Sequence, residues 1–355
     1  MNANSPASSE PLVSVVIAAF NAADTLEQTI ESVLAQSRVG FRIEIVIVDD
    51  GSTDSTWELL KGHAGHVRAV RQPNSGIGAA RNRGMREARG DFIALLDADD
   101  LCDPARLQIQ LAYLLEHPTM LLCSTDFSSF DSSGVLEVSS IGSYYSRCHA
   151  RYGGVRARYQ EHDRLIMPIA ACGLPAGSVV ECHSGRVFEQ MAQGSFIHPG
   201  TSMFRRSALD LAGNFDLNIR IACEWEWLAR VTREGSVGYI DLPLLAYRRS
   251  AGQVSSSPDM NLDSLHVAKM LHQRYPQLRL NDPAAVRRQF GNLELQAAYA
   301  LAPVHRRKAF ALLLSSLLRR RVCDAVSLRT LLRIVLPTPA MRGLRALRGR
   351  LCPTP

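Results

Sequence analysis

The chain has 355 residues, of which 46% are hydrophobic and 21% are charged, and its formal net charge is +6. This composition is ordinary for a globular protein with a sizeable core, and the length suggests two domains or one large domain with appendages. The eight cysteines form no C-x-x-C pair, the first residues carry no secretory signal, and the longest apolar stretch is too short to span a bilayer. We therefore expect a cytoplasmic protein with reduced thiols.

Short apolar runs occupy the first third of the chain. They lie at residues 12–20, 43–48, 68–71 and 92–96, and each is followed by a segment whose apolar residues repeat at helical spacing. Strands that alternate with helices predict βαβ units with right-handed crossovers. The predicted fold class is therefore α/β, with a mainly parallel sheet flanked by helices.

The rest of the chain is less regular. Residues 128–195 are rich in Ser, Gly, Tyr and Arg and have weak periodicity, so we expect an insertion of flexible loops there. Strand and helix patterns return after this region, and a helical pattern continues to the end of the chain. We predict a disordered N-terminus at 1–10, an α/β domain at 11–255 and a basic helical region at 256–355.

Carboxylates follow two of the predicted strands. Asp49 and Asp50 follow the second strand, and Asp97, Asp99 and Asp100 follow the fourth. The C-terminal ends of parallel strands meet at one edge of a sheet, which is where open α/β sheets bind ligands. Acids gathered there repel one another unless they have partners, so we expect a cation and a ribose or base. An acidic turn with a helix cap is the alternative for the D-x-D pair taken alone.

The D-x-D pair has the spacing of a divalent cation site. Residues i and i+2 of an extended segment point the same way, so Asp97 and Asp99 can both face Mg²⁺ or Mn²⁺, which neutralises a diphosphate. The loop Gly76-Ile77-Gly78 adds a close backbone approach before a helix N-terminus. Neither G-x-G-x-x-G nor G-x-x-x-x-G-K-[ST] occurs here, so the pattern favours a nucleotide-diphosphate site over a dehydrogenase or P-loop site.

Four motifs follow one another in this part of the chain. They are VSVVIAAFN at 13–21, VDDGSTD at 48–54, GIGAARN-x-G at 76–84 and LDADD at 96–100. Together they resemble the motifs of glycosyltransferase family 2, and the resemblance extends over residues 11–250. It implies a GT-A fold, a Rossmann-like domain that moves a sugar from a nucleotide-diphosphate sugar to a saccharide or lipid-linked acceptor with inversion. It also implies a part in bacterial surface polysaccharide or glycoconjugate synthesis.

The resemblance implies roles for residues at the nucleotide end of the site. Ala19, Phe20 and Asn21 would line the nucleobase pocket. Asp49 would hydrogen-bond the base, and Asp50 would support the loop that holds it.

The resemblance also implies roles at the phosphate end. Gly76 would let the backbone approach the phosphates, and Arg81 would approach them from the following helix, with a structural ion pair as the alternative for Arg81. Asp97 would lie near the ribose, and Asp99 would bind the metal. We expect Asp100 to cap the next helix.

Inverting members of this family need a base to deprotonate the acceptor hydroxyl. By the resemblance, Glu224 of Cys223-Glu224-Trp225 stands where the family has its basic Asp, although its side chain is one methylene longer. Glu226 is the competing base. On a helix the two carboxylates are about 200° apart, so only one of them can face the site. Trp225 would pack either under a sugar or in the core.

Two further residues are candidates on the acceptor or phosphate side. His198 precedes a proline and is either an active-site neighbour or a structural histidine. The family often has a His shortly after a Tyr-Arg pair, but none follows Tyr247 and Arg248 here. Metal coordination would then rest on Asp99 and diphosphate oxygens, with Arg248 or Arg249 neutralising part of the charge.

The C-terminal region is strongly basic. From residue 301 onward it carries twelve Lys and Arg and one acid, a local net charge of +11. Apolar residues between 309 and 335 fall at helical spacing among arginines, which predicts basic amphipathic helices. Such helices suit an anionic surface at the inner face of the cell membrane, and a bundle packed on the catalytic domain or against a homodimer partner is the open alternative. No nucleic-acid-binding motif accompanies the charge, so we expect no nucleic-acid partner.

Two other classes of function remain open. The chain could be a non-catalytic sugar-nucleotide-binding protein with a GT-A fold, because Cys223-Glu224 departs from the family's usual Glu-Asp pair. A nucleotidyltransferase is disfavoured, because no glycine-rich loop carries a phosphate-binding lysine.

Overall fold

The computed structural model describes residues 10–146, 153–250, 253, 257–321 and 323–336. The chain divides into two compact units, residues 1–251 and 252–355. The segment 1–10, for which we predict disorder, lies outside the described residues apart from Glu10.

The described part of the first unit is built on one sheet. Its strands are β1 (Leu12–Ala19), β2 (Arg42–Asp49), β3 (Val67–Arg71), β4 (Phe92–Asp97), β5 (Leu101–Cys102), β6 (Leu122–Asp131), β7 (Gly134–Glu137), β8 (Glu161–Ile166), β9 (Val179–Gly185), β10 (Met203–Arg205) and β11 (Val237–Arg248). The order across the sheet is β3-β2-β1-β4-β10-β6-β11-β9-β8, with β5 paired to β11 and β7 paired to β6.

Helices connect these strands. They are α1 (Leu26–Leu34), α2 (Thr56–Gly62), α3 (Ile77–Glu87), α4 (Arg106–Glu116), α5 (Ile141–Tyr144), α6 (Phe188–Ala192), α7 (Ser207–Ala212) and α8 (Cys223–Glu234). Short 3₁₀ turns lie at Arg156–Arg158 and Pro199–Thr201.

The strands β1 to β4, β6 and β11 all run in one direction, and β10 lies antiparallel between β4 and β6. Both faces of β1 are covered, because the consecutive residues from Val13 to Ile17 are all buried. Helix α3 lies close to this part of the sheet, because a Cβ atom on Gly84 would be 2.4 Å from Cγ1 of Val16. The predicted α/β fold, with a mainly parallel central sheet between helices, is confirmed.

Regular structure occurs within residues 128–195, where we predict flexible loops. β8 and β9 form an antiparallel pair that adds to the sheet beside β11. In β9 the buried Val180 and Cys182 lie on either side of the exposed Glu181, and Leu165 is the buried residue of β8. Antiparallel strands with a partly exposed face need few apolar residues, so they lack the continuous apolar run that marks β4.

The second unit is helical where it is described. Its helices are α9 (Pro258–Arg274), α10 (Gln277–Asn281), α11 (Pro283–Leu301), α12 (Arg306–Arg320) and α13 (Ala325–Val335). Side chains that accept a hydrogen bond from the first turn precede three of these helices, namely Ser257, Asp282 and Asp324. Apolar side chains of α11, α12 and α13 form a buried cluster in this unit. None of the described helices is both long enough and apolar enough to cross a membrane.

Candidate active site

The C-terminal ends of β1, β2 and β4 meet at one edge of the sheet. Ala19, the last residue of β1, pairs with Asp49, and the preceding Ala18 pairs with Asp97. The two acids therefore flank β1 at nearly the same level. This edge brings together two of the carboxylates that the sequence predicts to meet a nucleotide.

Asp50 ties the loop after β2 to the glycine loop before α3. Its Oδ1 accepts hydrogen bonds from Gln72 Nε2 at 2.8 Å and from the Ser75 N–H at 3.0 Å, and its Oδ2 accepts one from the Gly76 N–H at 2.8 Å. Gly76 has a φ of +89°, which favours glycine. The glycine loop is thus fixed beside the acids, and the N–H of Gly76 points to Asp50.

Asp49 is fully buried beneath Arg71. Its Oδ1 accepts a hydrogen bond from the Ser52 N–H at 3.0 Å, and its Oδ2 lies 3.0 Å from Arg71 Nε. The guanidinium of Arg71 also lies over the Trp57 ring, 5.5 Å from its centroid. Arg71 is not among the site residues that the sequence predicts, although as the last residue of β3 it pairs in register with Asp49.

Phe20 and Asn21 form the turn after β1. Phe20 is 49% exposed, which places an aromatic surface beside the end of β2. Asn21 has a φ of +50°, its backbone N–H donates to Ser52 Oγ, and its Oδ1 accepts a hydrogen bond from the Thr53 N–H at 2.8 Å. The loop that follows Asp49 therefore fixes the shape of this turn.

Arg81 of α3 bridges two carboxylates and is only 1% exposed. Its guanidinium donates to Asp97 Oδ1 at 2.6 Å and to Glu224 Oε1. Burial opposes the charge of Arg81, but the charges of Asp97 and Glu224 raise its pKa above the usual value. Burial likewise opposes ionisation of Asp97, and the charge of Arg81 outweighs it and lowers the pKa of Asp97. The ion pair that was the alternative for Arg81 is therefore present.

Glu224 reaches this corner from the first turn of α8, 143 residues after Arg81 in the sequence. Its side chain is 17% exposed, and its Oε2 accepts a long hydrogen bond, of 3.6 Å, from Cys223 Sγ. Cys223 in turn packs against α3, because a Cβ atom on Gly78 would lie 3.4 Å from its sulfur. One oxygen of Glu224 is held by an arginine and the other by a weak thiol donor.

Two of the predicted residues on α8 face away from this corner. Glu226 is fully buried, and its Oε2 lies 2.8 Å from Arg230 Nη2. Trp225 is also buried, and its Nε1 donates to the carbonyl oxygen of Met191 at 2.6 Å. Of the two glutamates, only Glu224 lies beside Arg81 and Asp97, and Trp225 packs in the core.

His198 is buried among aromatic rings beside the acidic loop. The centroids of Phe127, Tyr144 and Tyr247 lie 4.8, 5.6 and 5.2 Å from that of His198. Burial lowers the pKa of His198 to about 4, although the nearby charge of Asp97 acts in the opposite direction. At neutral pH His198 is therefore an uncharged neighbour of Asp97.

The side chain of Arg248 contacts the main chain of Asp99. Arg248 Nε donates to the carbonyl oxygen of Asp99 at 2.7 Å, and its Nη2 donates to Gln28 Oε1 at 2.8 Å. Burial, followed by the charge of Asp97, raises the pKa of Asp99 to about 6. Arg248 thus adds positive charge beside the D-x-D loop, while the Asp99 carboxylate has no ion-pair partner among the described residues.

Asp100 does not cap a helix, so that prediction is wrong. Its Oδ1 accepts a hydrogen bond from the Arg248 N–H of β11 at 2.9 Å, and the residue is fully buried. Burial, followed by the charges of the D-x-D pair, raises the pKa of Asp100 well above its usual range. The N-cap residue of α4 is Ala105, which makes no side-chain capping bond, and its N–H donates to Asp103 Oδ1 at 2.9 Å.

The acidic corner suits a divalent cation that a substrate helps to hold. Among the described residues, no group of three or more His, Cys, Asp or Glu side chains could hold a metal ion. Asp97 is engaged by Arg81, so Asp99 is the remaining carboxylate of the pair. Mg²⁺ is commonly bound through one or two carboxylates, several waters and substrate phosphates, and Asp99 fits that role as one ligand.

Comparison with known proteins identifies a family and a fold. The model of the family described as Glycosyl transferase family 2 matches residues 14–211, more than half of the chain. The crystal structure of S. aureus TarS 1-349 in complex with UDP-GlcNAc superposes with a TM-score of 0.51 at 15% identity, over 87% of this chain and 89% of that one.

Curated relatives match a smaller part of the chain. EpsE of Bacillus subtilis, named as a glycosyltransferase, is 36% identical over 132 residues, which are 36% of this chain and 47% of that protein. The succinoglycan biosynthesis protein ExoO of Rhizobium meliloti is 46% identical over 100 residues, 28% of each chain. The chain therefore spans about half the length of the first of these relatives and less of the second.

Proposed function

The chain belongs to glycosyl transferase family 2, and on that premise we propose that it transfers a sugar from a nucleotide-diphosphate donor to a saccharide or lipid-linked acceptor with inversion. The observation that supports this proposal most is the meeting of Arg81, Asp97 and Glu224 beside Asp99 at one edge of the sheet. A buried arginine with two carboxylates, next to a carboxylate that has no ion-pair partner in the described part of the chain, suits a substrate that brings both a diphosphate and a hydroxyl group.

We assign the nucleotide to the ends of β1 and β2. Phe20 offers an exposed ring on which a base can stack. Asp49 is buried, and it would reach a base N–H group through Oδ2, which accepts no hydrogen bond among the described residues. Asp50 holds the adjacent glycine loop in place. TarS was crystallised with UDP-GlcNAc, so uridine diphosphate sugars are the first donors to test.

The reaction centre would lie between Asp99 and Glu224. Mg²⁺ or Mn²⁺ held at Asp99 would neutralise charge on the leaving diphosphate. Arg81 orients Glu224 through Oε1, and the acceptor hydroxyl would replace the weak Cys223 thiol contact at Oε2. Glu224 would then take the hydroxyl proton as that oxygen attacks the anomeric carbon from the face opposite the diphosphate.

The family and the relatives favour a part in polysaccharide synthesis. ExoO is named for succinoglycan biosynthesis, and it shares 28% of its length with this chain. We propose that the present protein acts on a surface polysaccharide or glycoconjugate precursor at the inner face of the cell membrane. The residues 11–255 would form the catalytic domain, and 256–355 a basic helical region.

A donor-hydrolysis panel of UDP-, GDP- and dTDP-sugars, with and without Mn²⁺, tests the proposal. We expect hydrolysis of at least one donor and stimulation by the cation. Glu224→Gln should lower transfer about 100-fold or more, because general-base catalysis contributes about that factor. Donor affinity should be unchanged in this variant, because Glu224 is not assigned to the nucleotide.

The matched control is Glu234→Gln at the last residue of the same helix, where the side chain is 31% exposed, and this variant should leave transfer unchanged. Full activity of the Glu224→Gln variant would contradict the assignment of the base. Donor binding without turnover of any sugar by the unaltered protein would favour the alternative, a non-catalytic sugar-nucleotide-binding protein, for which Cys223 in place of an acid is the motivating observation.

A further inference from the structure

The last described helix of the second unit exposes its apolar side. Four apolar residues at helical spacing lie on one face of α13 and are exposed: Leu328 (54%), Leu331 (36%), Leu332 (39%) and Val335 (63%). We call these four residues the apolar stripe. Ordinary surface helices place such a face toward the core. The apolar stripe is thus turned outward.

The buried face of α13 lies about 110° around the helix from the centre of the apolar stripe, and it is small and partly polar. Ser327, Thr330 and Ile334 are its buried residues. The two hydroxyl groups are satisfied locally, because Thr330 donates to the carbonyl oxygen of Val326 at 2.8 Å and Ser327 donates to Asp324 Oδ1 at 2.9 Å. The packing of α13 therefore does not use most of its apolar surface, which suggests that something else covers the apolar stripe.

Helix α12 carries a second exposed apolar row. Phe310, Leu314 and Leu318, spaced four residues apart, are 49%, 50% and 72% exposed. The exposed Arg307 lies one turn before Phe310, and the exposed Arg321 lies one turn after Leu318. Long basic side chains at the ends of an apolar row can place their stems along hydrocarbon and their charges at a polar boundary.

The charge of this segment identifies the kind of partner. From residue 301 onward the chain contains twelve Lys and Arg residues and a single acid, Asp324. Asp324 is already paired with Arg320. Two copies of such a segment would repel each other, whereas an anionic surface would attract it. An apolar row with flanking arginines matches the interface of a bilayer that contains acidic lipids.

We propose that α12 and α13 form a lipid-docking surface that binds anionic bilayers, with the apolar stripe inserted among the acyl chains and Arg329 at the level of the head groups. Arg329 is exposed and lies on α13 between Leu328 and Leu331. The proposal does not depend on transferase activity, because an inactive protein with this surface would still bind vesicles.

Vesicle co-sedimentation of the full chain tests the proposal. Vesicles of phosphatidylcholine mixed with phosphatidylglycerol should retain the protein, and vesicles of phosphatidylcholine alone should retain much less. Raising the salt from about 0.1 M to about 1 M shortens the screening length from about 10 Å to about 3 Å, so binding should weaken. The double substitution Leu331→Gln/Val335→Gln should weaken binding at least about tenfold, because it removes inserted apolar surface.

One further variant tests the contribution of charge to binding, and a second serves as a control. Arg329→Gln should weaken binding about fivefold, which corresponds to the loss of one basic group near an anionic surface. Leu280→Gln is the matched control, because Leu280 is 78% exposed in the same unit but lies on α10, and it should bind as the unaltered chain does. Circular dichroism establishes that each variant is folded, and Arg329→Gln tests the surface without altering an apolar position.

Three results would overturn the proposal. The first is a failure of the unaltered chain to bind anionic vesicles, and the second is equal binding by the Leu331→Gln/Val335→Gln variant. The third is a dimer of the unaltered chain that this double variant dissociates, measured by light scattering, because a second copy would then cover the apolar stripe. Donor hydrolysis, measured in parallel without vesicles, reports on the proposed function separately.

Discussion

Replacement of Arg81 by Met should destabilise the first unit more than any other single loss of charge at the site. Arg81 is buried and pairs with Asp97 and Glu224, whose side chains are 26% and 17% exposed. Removal of one partner from a buried ion pair costs about 3–5 kcal/mol, and the partial exposure of both carboxylates places the expected loss at the lower end, about 3 kcal/mol. That is a large part of the roughly 5–15 kcal/mol by which domains are stable.

The pKa of Asp97 determines how the loss of stability depends on pH. The pKa of Asp97 is lowered in the folded protein, against burial, by the charge of Arg81. The ion pair of Asp97 therefore makes its full contribution to the free energy of unfolding above the ordinary aspartate pKa of about 4. This contribution is lost as the pH falls through the lower pKa that Asp97 has in the folded protein. The difference in stability between the unaltered protein and Arg81→Met should be constant near neutral pH and should narrow below about pH 4.

Urea unfolding followed by tryptophan fluorescence measures the loss, because all three tryptophans lie in the first unit. Arg83→Met is the matched control on the same helix. Arg83 is 40% exposed and pairs with Glu87 four residues later, an arrangement worth about 0.3–0.5 kcal/mol. If Arg81→Met cost no more than Arg83→Met, the inference that the bridge stabilises the fold would be refuted.

Two other predictions concern packing and the cation. Gly84→Ala should cost about 1–3 kcal/mol in urea unfolding, because the added Cβ would lie 2.4 Å from Val16 Cγ1, whereas Gly62→Ala adds a Cβ with no atom within 4 Å and should be neutral or slightly stabilising. Equal stabilities of the two variants would contradict the close contact between α3 and β1. Burial and the charge of Asp97 raise the pKa of Asp99 to about 6, so protons should compete with Mn²⁺ below that pH and not above it. In titrations with UDP present, Mn²⁺ affinity should fall about tenfold per pH unit below 6, and a flat profile would argue against Asp99 as a ligand.

The central sheet could be predicted because its signals are local. Each of the strands β1, β2 and β4 contains a run of at least four consecutive apolar residues, and the acids at the ends of β2 and β4 stand out against that background. The meeting of Asp49 and Asp97 beside β1 then follows from parallel pairing alone. The strands β8 and β9 lack such runs, since main-chain pairing and a few alternate apolar residues suffice for them.

The partners within the site were harder to predict, because they are distant in the sequence. Asp100 lies where the local sequence predicts a helix cap. Its Oδ1 instead accepts a hydrogen bond from a backbone N–H of β11, 148 residues later in the sequence. The sequence allows Arg81 either to approach the phosphates or to form a structural ion pair, and only the position of α8 reveals the ion pair. Spacing on the helix did anticipate that Glu224 and Glu226 face different ways. It could not say which of them meets Arg81.

The long reach of β11 to the D-x-D loop has a consequence for how the protein is made. Arg248 contacts the carbonyl oxygen of Asp99 across 149 residues of sequence. At translation rates of about 5–20 residues per second, about 7–30 s separate the synthesis of the two residues. During that interval the nascent chain carries its acidic loop without the strand that completes it. The proposed reaction centre is therefore assembled late. A chain interrupted before β11 would keep every motif that we assign to the nucleotide and would lack a finished acidic corner.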